Sequence, residues 1–354
     1  GCGGRGLGAA IQAATTARGV EVTAIGDLFA DQASLAADAI GRLGNASQPL
    51  RRFVGPQAAE QVIAADVDLV ILATPPHLRP GHAALAVRSG RHVFCEPPVA
   101  IDVAGVRDLL PVATEARARG LSVACGFQSR HHRPLVDEIN RIRDGVIGRP
   151  SRAVAVAELG LPWRRPRLPT WNEQEHELRN WVASPRLSGG PLVEHHVHAL
   201  DRAIWAFGDD SPESATPLLT EPVLPAAAEP ATGVHVVYRF RDGRTLLAGI
   251  ERRQGTETRI EERVFGSEGE SDLRDIAVGQ SADDRSPYAS CIAAVIEAIR
   301  AGRPINGLES GCRSTMVAVL GRESVRAGMT LAWDAVWPAA RGGQPIQPLQ
   351  SAGV

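Results

Sequence analysis

The chain has 354 residues, 44% of them hydrophobic and 22% charged, with a formal net charge of −2. That is the size and composition of a soluble globular protein with two domains. The near-balanced charge provides no basic stripe for nucleic acid, and no run of about 18 or more apolar residues argues for a membrane span. The five cysteines, at 2, 95, 125, 291 and 312, form no Cys-x-x-Cys pair and read as small buried apolar residues. All 38 basic residues are arginine. Arginine stays protonated, so any proton transfer falls to His, Asp, Glu, Cys or Tyr.

The first six residues, GCGGRG, place Gly1, Gly3 and Gly6 in a G-x-G-x-x-G turn, with Gly4 and Arg5 inside it. Such a turn normally follows a strand and opens a helix on whose N-terminus a pyrophosphate rests. An alanine-rich helix over 7 to 18 and a strand over 20 to 25 follow, and Asp27 lies 21 residues after Gly6, where a carboxylate can hold both ribose hydroxyls. Leu28 and Phe29 come next rather than a basic residue, which favours NAD over NADP. No strand precedes Gly1 in the sequence, which predicts a gap in the sheet between the strands at 20 to 25 and 67 to 73.

Further apolar runs at 67 to 73, 92 to 95 and 121 to 127 alternate with helical segments at 79 to 89 and 103 to 119. This is the rhythm of a parallel, doubly wound sheet, a Rossmann domain over residues 1 to 127. Thr74, Pro75 and His77 leave the strand at 67 to 73 on the adenine-ribose side; direct cofactor contact and a rigid strand exit both fit them. From 128 the rhythm changes. A helix over 133 to 144 is followed by strands at 151 to 158, 233 to 240, 245 to 252 and 258 to 265, which predicts a large open, mostly antiparallel sheet in a second domain over 128 to 340. Long loops are expected at 161 to 190 and 211 to 231, two closing helices at 287 to 301 and 308 to 327, and a tail at 341 to 354.

GCGGRG, ATPPHLRPGHAALAVRSGRHVFCEPPVAID at 73 to 102 and SGGPLVEHHVHALDRAIWAFG at 188 to 208 together resemble the Gfo/Idh/MocA oxidoreductases, and the likeness continues through 305 to 328. The resemblance implies a Rossmann domain joined to a large open sheet, NAD(P), a carbohydrate or cyclitol substrate, and a homo-dimer or homo-tetramer. It implies cytoplasmic enzymes or ones exported already folded. It also implies Glu-Lys-Pro near the nicotinamide, where this chain has Glu96-Pro97-Pro98. Glu96 matches, but proline has neither an ionisable group nor an N–H.

The replacement for that lysine is sought in Glu194-His195-His196-Val197-His198 and Asp201. Histidine titrates near neutrality, which points to His198 as the acid/base, with Glu194 four residues away on the same helix face to orient it or bind a hydroxyl. His195, His196 and Asp201 are candidate substrate contacts. A metal held by the histidines and a carboxylate, and a purely structural buried cluster, remain as alternatives; no metal is expected. Trp163, Arg164, Glu177 and Arg179, in a loop rich in Trp and Arg, suit a sugar site or a loop pinned to the sheet. Arg130, with His131 and His132, either faces the same cleft or caps a helix. The expected reaction is NAD-dependent oxidation of a CH–OH group on a sugar or polyol. The alternatives are a hydrolase or lyase that returns the hydride internally, and a binding protein without turnover.

Overall fold

A computed structural model describes residues 1–44, 48–218, 232–274 and 286–337. In the first domain, helix α1 (Gly4–Thr16) packs its alanines inward and leads to strand β1 (Ala24–Asp27). Helix α2 (Ala30–Gly41), strand β2 (Arg51–Val54) and helix α3 (Ala58–Ala64) follow. Strands β3 (Leu69–Leu72), β4 (His92–Cys95) and β5 (Val123–Cys125) alternate with helices α4 (Arg79–Arg88) and α5 (Val103–Ala118). Asp102 caps α5 by accepting the Gly105 N–H at 2.8 Å.

The parallel sheet is in two pieces, β1-β2 and β3-β4-β5. The strands β1 and β3 do not pair, and a cavity of about 540 Å³ lies between their facing edges, as expected from the sequence. Each piece has its own packing. Cys2, Ala10, Ile25, Ala36 and Ile40 form a small core under β1. The other piece joins the main core, which runs through α5 into the second domain.

The second domain begins at helix α6 (Arg133–Arg143) and is built on a seven-stranded sheet. Its strands are β6 (Pro150–Leu159), β7 (Ser214–Leu218), β8 (Thr232–Arg239), β9 (Thr245–Arg252), β10 (Arg259–Gly266), β11 (Glu270–Asp272) and β12 (Leu331–Ala332), in the order β11-β10-β6-β9-β8-β7-β12. Neighbours are antiparallel except the central pair β6–β9, which is parallel. That makes the sheet mixed: β6 and β9 are joined by a long crossover through helices and β7–β8, a connection that strand alternation does not reveal.

The stretch from 161 to 190 is not all loop, since it folds into helix α7 (Glu173–Arg179), a turn at Trp181–Ala183 and helix α8 (Pro185–Ser188). Helices α9 (Pro191–Glu194) and α10 (Val197–Ala206) then pass beneath the sheet. Helix α11 (Pro287–Arg300) returns to pack on α1, while α12 (Leu308–Ala327) lies between α5 and β7–β8. The predicted tail at 341 to 354 and most of the loop at 211 to 231 lie outside the described residues. Among the described residues no helix is long and apolar enough to cross a membrane.

Candidate active site

The carboxyl ends of β1, β3 and β4 and the start of α1 meet at one edge, the usual ligand-binding edge of an open α/β sheet. A Cβ on Gly6 would lie 1.9 Å from the Gly1 carbonyl oxygen, so this turn closes only around glycine. Gly3 and Gly4 differ: no atom lies within 4 Å of where their Cβ atoms would point. The first turn of α1 is therefore open to an approaching group, and it carries the unpaired N–H groups of a helix N-terminus. At the end of β1, the Asp27 carboxylate accepts the Cys2 N–H at 2.7 Å and the Phe29 N–H at 2.9 Å. Each oxygen keeps a lone pair for a ribose hydroxyl. These residues fit a dinucleotide.

Beyond β3, the Thr74 hydroxyl lies 3.2 Å from His82 Nδ1, and Pro75 leads into a short turn. His77, expected at the cofactor, has its Nδ1 3.0 Å from the Leu187 carbonyl oxygen and so meets the 161–190 stretch. Glu96, directly after β4, is 4% exposed and stands 3.0 Å from Arg5 Nε. Burial raises its pKa, against the opposing pull of Arg5 and then Arg79. Arg5 lies 4.3 Å over the Tyr288 ring, and Gln128 Nε2 donates to the Tyr288 hydroxyl at 3.2 Å.

Arg79, at the start of α4, is buried. It donates Nε–H to the Thr74 carbonyl (2.8 Å) and Nη1–H to the Glu96 and Pro98 carbonyls (3.0 and 2.6 Å). The guanidinium thus holds both ends of the Glu96-Pro97-Pro98 turn and, among the described residues, forms no ion pair within 4 Å.

Across from this edge the chain turns at Gly189 and Gly190, both at positive φ, into α9. The helix expected to carry Glu194 and His198 on one face is broken at His195–His196, so Glu194 ends α9 and His198 lies in α10. The break follows from His196, which is 2% exposed and whose Nε2 reaches the Ala155 carbonyl in β6 at 2.7 Å. A shared helix face for Glu194 and His198 is thereby lost. Glu194 is partly buried; burial raises its pKa, while Arg252 and Arg79 oppose the rise. His198 packs edge-on against Phe127, with ring centroids 5.8 Å apart. Burial, with the nearby charges of Arg202 and Arg79, pushes its pKa down to about 3, so the imidazole is neutral. Glu96, Glu194 and His198 all feel the charge of Arg79, so the β4 turn and the 194–198 segment share the electrostatic reach of one buried guanidinium.

Several expected contacts are committed to protein partners. Asp201, 1% exposed, accepts two-pronged donation from Arg130 at 2.9 to 3.1 Å and the Ser314 hydroxyl at 2.6 Å. Arg130 also bonds Asp209 at 2.6 Å and lies 5.2 Å over the Trp205 ring, so its guanidinium is held by protein partners. His196 and Asp201 are likewise held by protein partners. Glu177 pairs with Arg186 and accepts the Ser184 hydroxyl at 2.7 Å. Arg179 reaches Asp31 of the first domain. Trp163, Arg164 and His195 are exposed. Among the described residues no three His, Cys, Asp or Glu side chains gather where they could hold a metal. No sequence pattern singles out Arg79, Gln128, Arg252 or Tyr288; tertiary packing alone brings Arg79 to Glu96, Tyr288 to Arg5, Gln128 to Tyr288 and Arg252 within reach of the Glu194 charge.

Two family models match the chain: an oxidoreductase family NAD-binding Rossmann fold over residues 1–125, and the C-terminal alpha/beta domain of the same family over 140–286. The chain belongs to the Gfo/Idh/MocA oxidoreductases. It is 30% identical over 152 residues to 1,5-anhydro-D-fructose reductase of Ensifer adhaerens, covering 42% of this chain and 40% of that protein. It is 27% identical over 210 residues to inositol 2-dehydrogenase of Rhizobium meliloti, covering 58% of this chain and 57% of that protein. The matches thus span about half the length of these relatives. The fold is similar to scyllo-inositol dehydrogenase from Lactobacillus casei with bound NAD(H) and scyllo-inositol, with a TM-score of 0.71 at 16% identity, covering 94% of this chain and 97% of the other.

Proposed function

We propose that this protein is an NAD-dependent dehydrogenase of a cyclic polyol or sugar. The observation that supports this best is the glycine turn opening onto α1 beside a ribose-type carboxylate, Asp27, suited to NAD, with Glu96, Glu194 and His198 all within reach of the Arg79 charge. When bound, the nicotinamide supplies the hydride acceptor. Gly3, Gly4 and Asp27 would hold the dinucleotide, and the absence of a basic residue directly after Asp27 favours NAD over NADP.

Proton handling divides differently from the expectation that His198 is the acid/base. A group whose pKa is held near 3 is a poor acceptor at neutral pH, whereas a partly buried glutamate whose pKa burial raises above the usual carboxylate range is a better one. In this reading a Glu194 carboxylate oxygen takes the proton of the reacting hydroxyl, and the neutral His198 imidazole holds that hydroxyl in line. Glu96, pinned by Arg5, lines the cofactor edge after β4. Assembly as a homo-dimer or homo-tetramer and a cytoplasmic location belong to the same reading.

The test is to incubate the protein with NAD or NADP and a panel of inositols, hexoses and anhydrosugars, following the NADH absorbance band. Reduced cofactor should form with NAD and a cyclic polyol. Glu194→Gln should lower kcat about 10²- to 10⁴-fold and remove the acid limb of the pH profile, while His198→Gln should raise KM and keep that limb. No reduced cofactor from any of these compounds, in protein shown to bind NADH, would sink the proposal.

A further inference from the structure

The stretch between β6 and α9 leaves the second domain and lands on the first, on the turn just after Asp27. Arg179, whose side chain is 9% exposed, makes a two-pronged pair with Asp31 at 3.0 Å in both contacts. Its guanidinium is sandwiched 3.9 Å over the Phe29 ring and 4.6 Å over the Trp171 ring, and Glu175 holds its Nε at 2.9 Å. A second arginine of the stretch, Arg165, reaches Gln32 at 3.3 Å. The segment carrying these arginines is braced internally: Asn180 accepts the Arg165 N–H at 2.7 Å and donates to the Arg165 and His176 carbonyls at 3.2 and 2.9 Å.

Its far end is fastened at another point of the same edge. The Leu187 carbonyl meets His77 after β3, and Arg322 of α12 donates to the Gly189 carbonyl at 3.2 Å. One strap is thus anchored both beyond β1 and beyond β3. These are the two strand ends between which the adenosine half of a dinucleotide lies in such a sheet. Phe29 ties the two features together: its N–H bonds the Asp27 carboxylate while its ring supports Arg179.

We propose that residues 161–190 form a strap over the adenosine half of the cofactor groove, latched by Arg179 and Asp31, and that this latch sets the rate at which NAD and NADH exchange. The inference rests on the proposed cofactor reading. Arg179 and Trp171 then act in cofactor retention rather than in holding the sugar. The Leu187–Gly189 end is buried and fastened to both domains, so opening occurs at the Arg179 end, where Asp31 is half exposed.

The experiment is stopped-flow release of NADH, followed by its fluorescence on chasing with excess NAD. Arg179→Gln and Asp31→Asn should each speed release about three- to tenfold. The double variant should be no faster than the quicker single one, because both break the same pair. Added salt should speed release from the unaltered protein and have little effect on the variants. Arg133→Gln, which removes a surface arginine paired with Asp137 on α6, should leave the rate unchanged. If NADH binds and both single variants release it at the original rate, or the two effects multiply, the latch is refuted while the cofactor reading stands. If the unaltered protein binds no NADH, the cofactor reading itself fails and the latch with it.

Discussion

Two arginine–glutamate pairs in this molecule, each with a buried glutamate, are built differently. Arg202 of α10 grips Glu262 of β10 with two contacts of 2.6 Å, and a third arm donates to the Ser129 hydroxyl at 2.9 Å. The two side chains are 9% and 4% exposed. In the cleft, Arg5 meets Glu96 through a single contact of 3.0 Å and keeps about a third of its side chain exposed. Its remaining interactions go to the neutral Gln12 and to the Tyr288 ring. The first pair has both carboxylate oxygens on one guanidinium and the remaining arm on Ser129; the second has hydrogen-bonding capacity to spare beside the cofactor edge. A saturated pair serves the fold, and an unsaturated one in a cleft serves a ligand.

Breaking each pair separately tests that contrast. Arg202→Met leaves Glu262 buried without its cation and should cost about 3–5 kcal/mol of stability, read as a large fall in the urea midpoint. Any activity remaining in the folded fraction should have unchanged KM for NAD. Glu96→Gln should behave in the opposite way. Arg5 can turn to water, so stability should change by about 1 kcal/mol or less, while NADH affinity and kcat/KM each fall about tenfold. If Glu96→Gln unfolds the protein, or Arg202→Met leaves its stability intact, the distinction between the two pairs collapses.

Much of the fold was legible before the structure, and the reasons can be traced to particular segments. Strand His92–Cys95 and helices Arg79–Arg88, Val103–Ala118 and Leu308–Ala327 fall where the apolar runs put them: the first two helices bury one regular face, while the strand and the last helix are apolar and buried nearly all round. Helices α2 and α3 and strand β2 escape that reading; β2 is a short strand of largely exposed residues, Arg51, Arg52 and Val54 among them. The glycine turn and Asp27 are readable because their spacing alone carries the geometry. Arg130, Arg179 and Asp201 are not, because residue type shows that a charge needs a partner and says nothing of where the partner lies. Arg79 is the sharpest instance: its partners are three backbone carbonyls, invisible in any pattern of side chains.

His196 gives a finer test of the same division between groups that serve the fold and groups that serve the site. Its imidazole is buried against the Ala155 carbonyl, and burial pushes its pKa down from 6.5 to about 4. The unfolded chain therefore binds a proton more readily than the native one between these values. The stabilising contribution is complete above pH 6.5 and is lost as the pH falls towards 4. Comparing urea midpoints of the unaltered protein and His196→Gln across this range isolates the effect from other titrating groups. The unaltered protein should lose about 1–2 kcal/mol more than the variant by about pH 5. Glutamine can still donate to Ala155 but does not titrate, so the variant should retain cofactor binding. If instead its stability curve runs parallel to the original while NADH binding weakens, His196 belongs to the cleft and not to the sheet.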